Sequence, residues 1–134
     1  MISLQKITAY ILRKKNCLHP FRISRIIALA ELICMEKYGK RITNAKYVGN
    51  LGVFYIDGLK EELLNSPCFE KLEDQGCIKY VCDKEINIEK NARACIDEAI
   101  RIAEKASDIE LNNIVVQHKL FQKLLNNIVW ELLG

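Results

Sequence analysis

Apolar positions set the order of elements along the chain. Leu4, Ile7 and Ile11 recur at three- and four-residue spacing and predict a short amphipathic helix over residues 2–15. It ends in Arg13-Lys14-Lys15, where cations suit the negative helix end. His19-Pro20 opens a second helix, with proline at a first-turn position where its missing N–H costs nothing. Ile23, Ile26, Ile27, Ala30 and Ile33 form the buried stripe of that helix, and Gly39 stops it. In "KRITNAKYVGNLGVFYIDGLKEELLNSP", Thr43 or Asn44 is placed to cap a single helical turn over residues 45–48. Gly49 and Gly52 bracket a tight connection into a third helix of roughly residues 53–65, and Pro67 enforces its end.

The stretch "LEDQGCIKYVCDKEINIE", residues 72–89, changes period. Gly76 supplies a left-handed stop, and "CIKYV" and "INI" alternate as two strands around a polar turn. A two-residue Asp83-Lys84 loop sets Ile86 and Ile88 opposite Val81 and Lys79. A three-residue loop over Cys82 to Lys84 sets them opposite Tyr80 and Ile78 on one apolar face, and that register is preferred. Residues 90–106 form another helix with Ile96, Ala99, Ile100 and Ala103 inward. Ser107-Asp108-Ile109-Glu110 fits a capping box that starts the last helix.

In the last helix, Leu111, Ile114, His118, Phe121, Leu125, Ile128 and Leu132 repeat at three- and four-residue spacing, and Val115, Leu124 and Val129 add a second row. A helix with this much apolar surface predicts a partner. The expectation is a homodimer through Leu111, Val115, Phe121, Leu124, Leu125, Ile128, Val129 and Leu132. The order of elements is that of a mainly α (α+β) chain. It reads as one domain, 1–134, with a winged-helix-like core over 1–106, a small β-hairpin, and a long C-terminal dimerisation helix over 107–134.

Composition agrees with a single core, since half the residues are hydrophobic and only two are proline. The opening segment is a poor signal peptide, and no apolar run approaches the length of a membrane span, so the expectation is a soluble, cytoplasmic protein. Charge is divided. Residues 1–60 carry 11 Lys/Arg against 3 Asp/Glu, whereas residues 61–134 carry 9 against 14. Such a split is expected where one face meets an anionic partner. Cys17, Cys34 and Cys95 read as small buried thiols. Cys68, Cys77 and Cys82 cluster around the hairpin, where a disulfide, free thiols and a metal site are the alternatives; the C-x8-C-x4-C spacing lacks a fourth ligand for zinc, so no metal is expected.

Catalytic sets are not recognisable. Four serines and two histidines form no nucleophile–base motif, and no phosphate-binding or dinucleotide-binding glycine loop occurs. "GNLG" at 49–52 has the spacing of the backbone clamp of KH domains without the flanking strands. A non-enzymatic protein without cofactor or small-molecule substrate is expected. The run "ICMEKYGKRITNAKYVGNLGVFYIDGLKEELL" resembles the SocA/Panacea group of antitoxin-type domains in the order of its elements, most specifically near Tyr47 to Leu59. The turn that is usually Tyr-Gly-Pro in that group reads Leu51-Gly52-Val53 here. The resemblance implies a protein that binds another protein, with no catalytic residues.

Two functions follow. The first is a winged-helix regulator that binds duplex DNA through Arg13, Lys14, Lys15, Arg22, Arg25, Lys40, Arg41, Lys46, Lys79 and Lys84. The second is an antitoxin-like or adaptor module with a partner protein, which does not read DNA. The third helix, with one lysine among several acids, favours the second; the charge split favours the first.

Overall fold

Ser3 caps the first helix by accepting a hydrogen bond from the Lys6 amide. The structure, a computed structural model, describes residues 1–125. In chain order the elements are α1 (Leu4–Lys15), β1 (Cys17–Leu18), α2 (Pro20–Tyr38), β2 (Tyr47–Gly49), β3 (Phe54–Ile56), α3 (Leu59–Leu64), β4 (Phe69–Leu72), β5 (Cys77–Tyr80), α4 (Lys90–Glu104), α5 (Asp108–Val116) and α6 (Phe121–Leu124). The fold is mixed α+β with small antiparallel sheets.

The second helix is the centre of the molecule. Residues 23–34 are all buried, as expected of a helix with neighbours on every side. It packs along α4 and α5 and also meets α1, α3 and β3. His19 caps its start through Nδ1, and Gly39, with a φ of 73°, ends it in the left-handed conformation. Among the described residues, no helix is long and apolar enough to cross a membrane.

Glu31 faces the chain that leaves this helix. Its carboxylate is fully buried and accepts six hydrogen bonds. The donors are Arg41 Nε and Nη2, the Ile42 and Thr43 amides, Thr43 Oγ1 and Tyr47 Oη. Burial, with Glu31 beside it, pushes the Tyr47 hydroxyl well above its ordinary range, so it stays a donor. The expected helical turn over residues 45–48 is therefore absent: residues 41–47 are pinned to Glu31, and the chain leaves as a strand.

Two sheets follow. One has the order β1-β5-β4; the other is the β2–β3 hairpin. The strand pair of the first is β4 with β5, in register Phe69↔Tyr80 and Leu72↔Cys77, and not "CIKYV" with "INI" in either register considered above. Residues 86–88 are not in a strand. The reason is that Gly76, with a φ of 66°, turns the chain inside the preceding segment, so the hairpin lies one strand earlier. The other edge of β5 is taken by β1, with Cys17↔Lys79 and Leu18↔Ile78. Two disulfides hold this sheet, Cys17–Cys77 and Cys68–Cys82. Two members of the expected cysteine cluster are thus joined, but Cys77 pairs with Cys17, which reads as a buried thiol in sequence. Cys34 and Cys95 are free and buried, and burial pushes the Cys34 thiol up to about 12.

The C-terminal region departs most from expectation. The capping box at Ser107 and Glu110 is present, but the helix stops at Val116. His118 occupies the break: Nδ1 accepts from the Leu120 amide and Nε2 meets Glu36 Oε2 at 2.9 Å. Leu111, Val115, Phe121 and Leu124 are buried in the chain's own core, and Leu125 packs against it. The break lets the chain's own core cover Leu111, Val115, Phe121 and Leu124, the described part of the row that the sequence offers to a second copy. Ile128, Val129 and Leu132 lie outside the described residues.

Several carboxylates are tied to helix ends and ion pairs. Hydrogen bonds from the Asn91 and Ala92 amides hold Glu89 below its ordinary range, and the Ser107 amide does the same for Glu110. The hydrogen bond from His118 lowers Glu36. Burial pulls Asp97 upward, yet Lys14 and Tyr10 outweigh it and leave it lowered. A carboxylate lowered in the folded state adds stability above its unfolded value, and that stability is lost as pH falls through the folded value. Urea midpoints should hold between pH 7 and about 5 and decline below about 4. A midpoint that rises on acidification would contradict these four assignments.

Candidate peptide-binding groove

The β2–β3 hairpin turns on Gly49. A Cβ there would collide with the Val53 carbonyl oxygen and lie 2.7 Å from Phe54 Cα, so only glycine fits. Asn50 Oδ1 accepts from the Gly52 and Val53 amides at 2.8 and 2.9 Å and closes the loop. The G-x-x-G run is thus the neck of a hairpin. The expected helix over 53–65 is β3, a turn at Asp57-Gly58 and the short α3. Val53, Phe54, Tyr55 and Ile56 are strand formers, and Gly58, with a φ of 70°, separates them from the helical leucines.

One edge of β3 has no strand partner among the described residues, and it lies beside the cleft rather than open to solvent, since Phe54 and Ile56 are 3% and 4% exposed. The Asn50 amide bonds the Val53 carbonyl and the Asp57 amide bonds the Lys46 carbonyl, with Val48 opposite Tyr55 between them. Bonded and non-bonded pairs alternate in an antiparallel ladder, so the amides and carbonyls of Phe54 and Ile56 point away from β2. They take no partner among the described residues. The far side of β2 is met by Leu125, which bridges to Tyr47. Val53 and Tyr55 alternate outward and, with Leu51 in the turn, are 58%, 57% and 50% exposed.

Beside this edge lies a cleft of about 500 Å³ between β3, the start of α3 and the first turns of α2. Phe21, Phe54, Ile56 and Leu59 give it apolar walls; Asp57, Lys60 and Glu61 are exposed at its margin. Arg25 and Ser24 also line it. The Arg25 guanidinium lies between the Phe21 and Phe54 rings, 3.9 and 4.0 Å from their centres. Nε and Nη2 donate to Asn112 Oδ1 at 3.0 and 2.9 Å, and Nη1 donates to Ser24 Oγ at 2.9 Å. Asn112 is held in turn by donating to the Gly52 carbonyl at 2.9 Å. Burial pulls Arg25 down to about 10, which leaves it cationic at neutral pH.

Of the ten basic residues expected at DNA, four are in ion pairs and one more is buried. Lys14 pairs with Asp97, Lys15 with Glu104, and Arg22 with Asp108. Arg22 also donates to the carbonyls of Ala103 and Ala106. Together with Lys37–Glu98, these pairs fasten the basic first half to the acidic second half. Much of the charge split therefore serves contacts of α1 and α2 with α4 and the start of α5. Arg41 is bound to Glu31, and Arg25, at 2% exposure, is out of reach of a duplex. Arg13 donates to the Lys84 carbonyl and lies over the Tyr80 ring. Arg13, Lys40, Lys46, Lys79 and Lys84 are exposed and have no carboxylate within ion-pair distance among the described residues.

Among the described residues, no group of three or more His, Cys, Asp or Glu side chains is placed to hold a metal ion. No protein-family model, curated protein or solved structure matches the chain. The groove was missed in sequence because the apolar run 53–64 fits a helical period as well as a strand followed by a helix. Asp57-Gly58 was the available signal: a turn dipeptide in the middle of the supposed helix.

Proposed function

We propose that the protein is a non-catalytic interaction module that takes an extended segment of a partner protein along the free edge of β3. The observation that carries this reading is the unpaired edge beside an apolar cleft. Exposed edge strands are commonly blunted by charge, proline or a covering loop, because they recruit other strands. Here Val53 and Tyr55, with Leu51 in the adjoining turn, do the opposite and offer exposed apolar contacts. Strand addition supplies main-chain hydrogen bonds for affinity and side-chain pockets for choice. The resemblance to antitoxin-type domains implies a protein partner as well.

A winged-helix reading would need a recognition helix. The helix in that place, α3, has six residues, LKEELL, with two acids and one lysine. Duplex DNA remains the second reading through Arg13, Lys40, Lys46, Lys79 and Lys84, and salt-dependent binding of a labelled duplex would favour it.

The test is a selection of displayed random heptapeptides on the full chain. Enriched peptides should alternate apolar and polar residues. Their synthetic forms should bind at least about tenfold more weakly when alternate backbone nitrogens are methylated, since each blocked nitrogen loses a hydrogen bond. Val53→Lys with Tyr55→Lys, both at exposed positions, should abolish enrichment without lowering the melting temperature. Peptides that tolerate N-methylation, or enrichment unchanged on the double variant, would remove the strand-edge reading.

A further inference from the structure

Arg25 sets a condition on what enters the groove. It is 2% exposed, and no carboxylate lies within ion-pair distance of it among the described residues. Its hydrogen-bond partners, Asn112 and Ser24, are neutral. A guanidinium has five N–H donors, and the three bonds to these partners leave donors over. Buried charges in proteins are ordinarily paired, because an uncompensated charge in an apolar site is costly. The faces of Phe21 and Phe54 offset part of that cost but bring no negative charge. This residue lines the cleft that β3 borders.

We propose that the groove recognises the free C-terminal carboxylate of an extended apolar chain end, with Arg25 as its counter-ion. The proposal rests on the strand-edge reading above and names the ligand class within it. Planar guanidinium and carboxylate groups match as a bidentate pair, which is strongest in a dry site. A chain end suits the geometry better than an acidic side chain within a longer strand. Arg25 lies deep, between two aromatic rings, and a terminus reaches it with no chain continuing beyond. The exposed acids Asp57 and Glu61 at the margin also disfavour a strongly acidic segment.

Two display formats decide the matter, one with free C-termini and one with the random peptide flanked on both sides. Enrichment is expected from the first format, with an apolar last residue. The synthetic free acid should bind about tenfold or more tightly than its C-terminal amide, measured by fluorescence polarisation on the unmodified protein, so that folding of a variant does not enter. Arg25→Met should bring acid and amide to equal affinity, with Arg25→Lys in between. Failure of both formats sinks the strand-edge reading itself. Enrichment with equal binding of acid and amide overturns only the role of Arg25. Enrichment of flanked peptides carrying an internal aspartate overturns the choice of a chain end. Self-association of the protein in place of peptide binding would give the edge to a second copy and overturn both.

Discussion

Reduction of the two disulfides should lower the melting temperature by about 15 °C, the largest single change expected for this chain. In the loop-closure account, a cross-link stabilises by restricting the unfolded chain, by about 3 kcal/mol for a loop near 15 residues and about 4 kcal/mol for one near 60. The separations here are 14 residues for Cys68–Cys82 and 60 for Cys17–Cys77. The two loops overlap, since Cys68 lies inside the larger and Cys82 outside it. Once one bond is closed, the other restricts less, so the pair together contributes about 5 kcal/mol rather than the full sum. At roughly 3 °C per kcal/mol for a chain of this size, the shift follows. A domain is ordinarily stable by about 5–15 kcal/mol, so the reduced protein keeps little reserve.

Two measurements check this. Melting with and without reductant gives the shift. Alkylation in denaturant should modify two thiols without reductant, Cys34 and Cys95, and six with it. Removing Cys17 and Cys77 together should cost about 1 kcal/mol more than removing Cys68 and Cys82, in the order of their loops. Superimposed melts, or six modified thiols without reductant, would show that the sheet holds without these bonds.

Local signals were legible where one residue decides the geometry. Pro20 and Gly39 bound the central helix as their backbone preferences require, and Ser107 with Glu110 forms the expected box. Pairings across long separations were not legible. Nothing in the spacing of Cys17 shows that a two-residue strand lies beside β5, sixty residues on, and the hairpin register moved because the turn fell at Gly76 instead of Asp83. Net charge has a similar limit: a sum over residues 1–60 does not show that Lys14, Lys15, Arg22 and Lys37 face the acids of the second half. In sequence, Arg25 reads as a surface cation. Only the packed structure reveals that its guanidinium lies against two phenylalanine rings.

Glu31→Gln should cost about 3–5 kcal/mol and loosen the groove as well. Glu31 is fully buried and Arg41 is 27% exposed, so removing the carboxylate leaves a partly solvated charge as well as buried donors without their acceptor, and costs up to that range are typical of such breaks. Glutamine keeps the shape but presents an amide N–H2 to donors that need an acceptor, so at least one of Arg41, Thr43 and Tyr47 loses its partner. With an m-value of about 1–3 kcal/mol per molar urea, the midpoint should fall by about 2 M. The exposed pair Lys14–Asp97 gives the contrast: its removal should cost no more than about 1 kcal/mol. Because Glu31 anchors Tyr47, and Tyr47 begins β2, release of the anchor frees the hairpin from α2. The free edge of β3 would then be less ordered relative to Phe21 and Arg25, and peptide affinity should fall even below the melting temperature, where the protein remains folded. Loss of stability with unchanged peptide affinity would separate the two roles and leave Glu31 as an anchor of the fold alone. A cost near that of Lys14–Asp97 would show that the six hydrogen bonds are readily replaced.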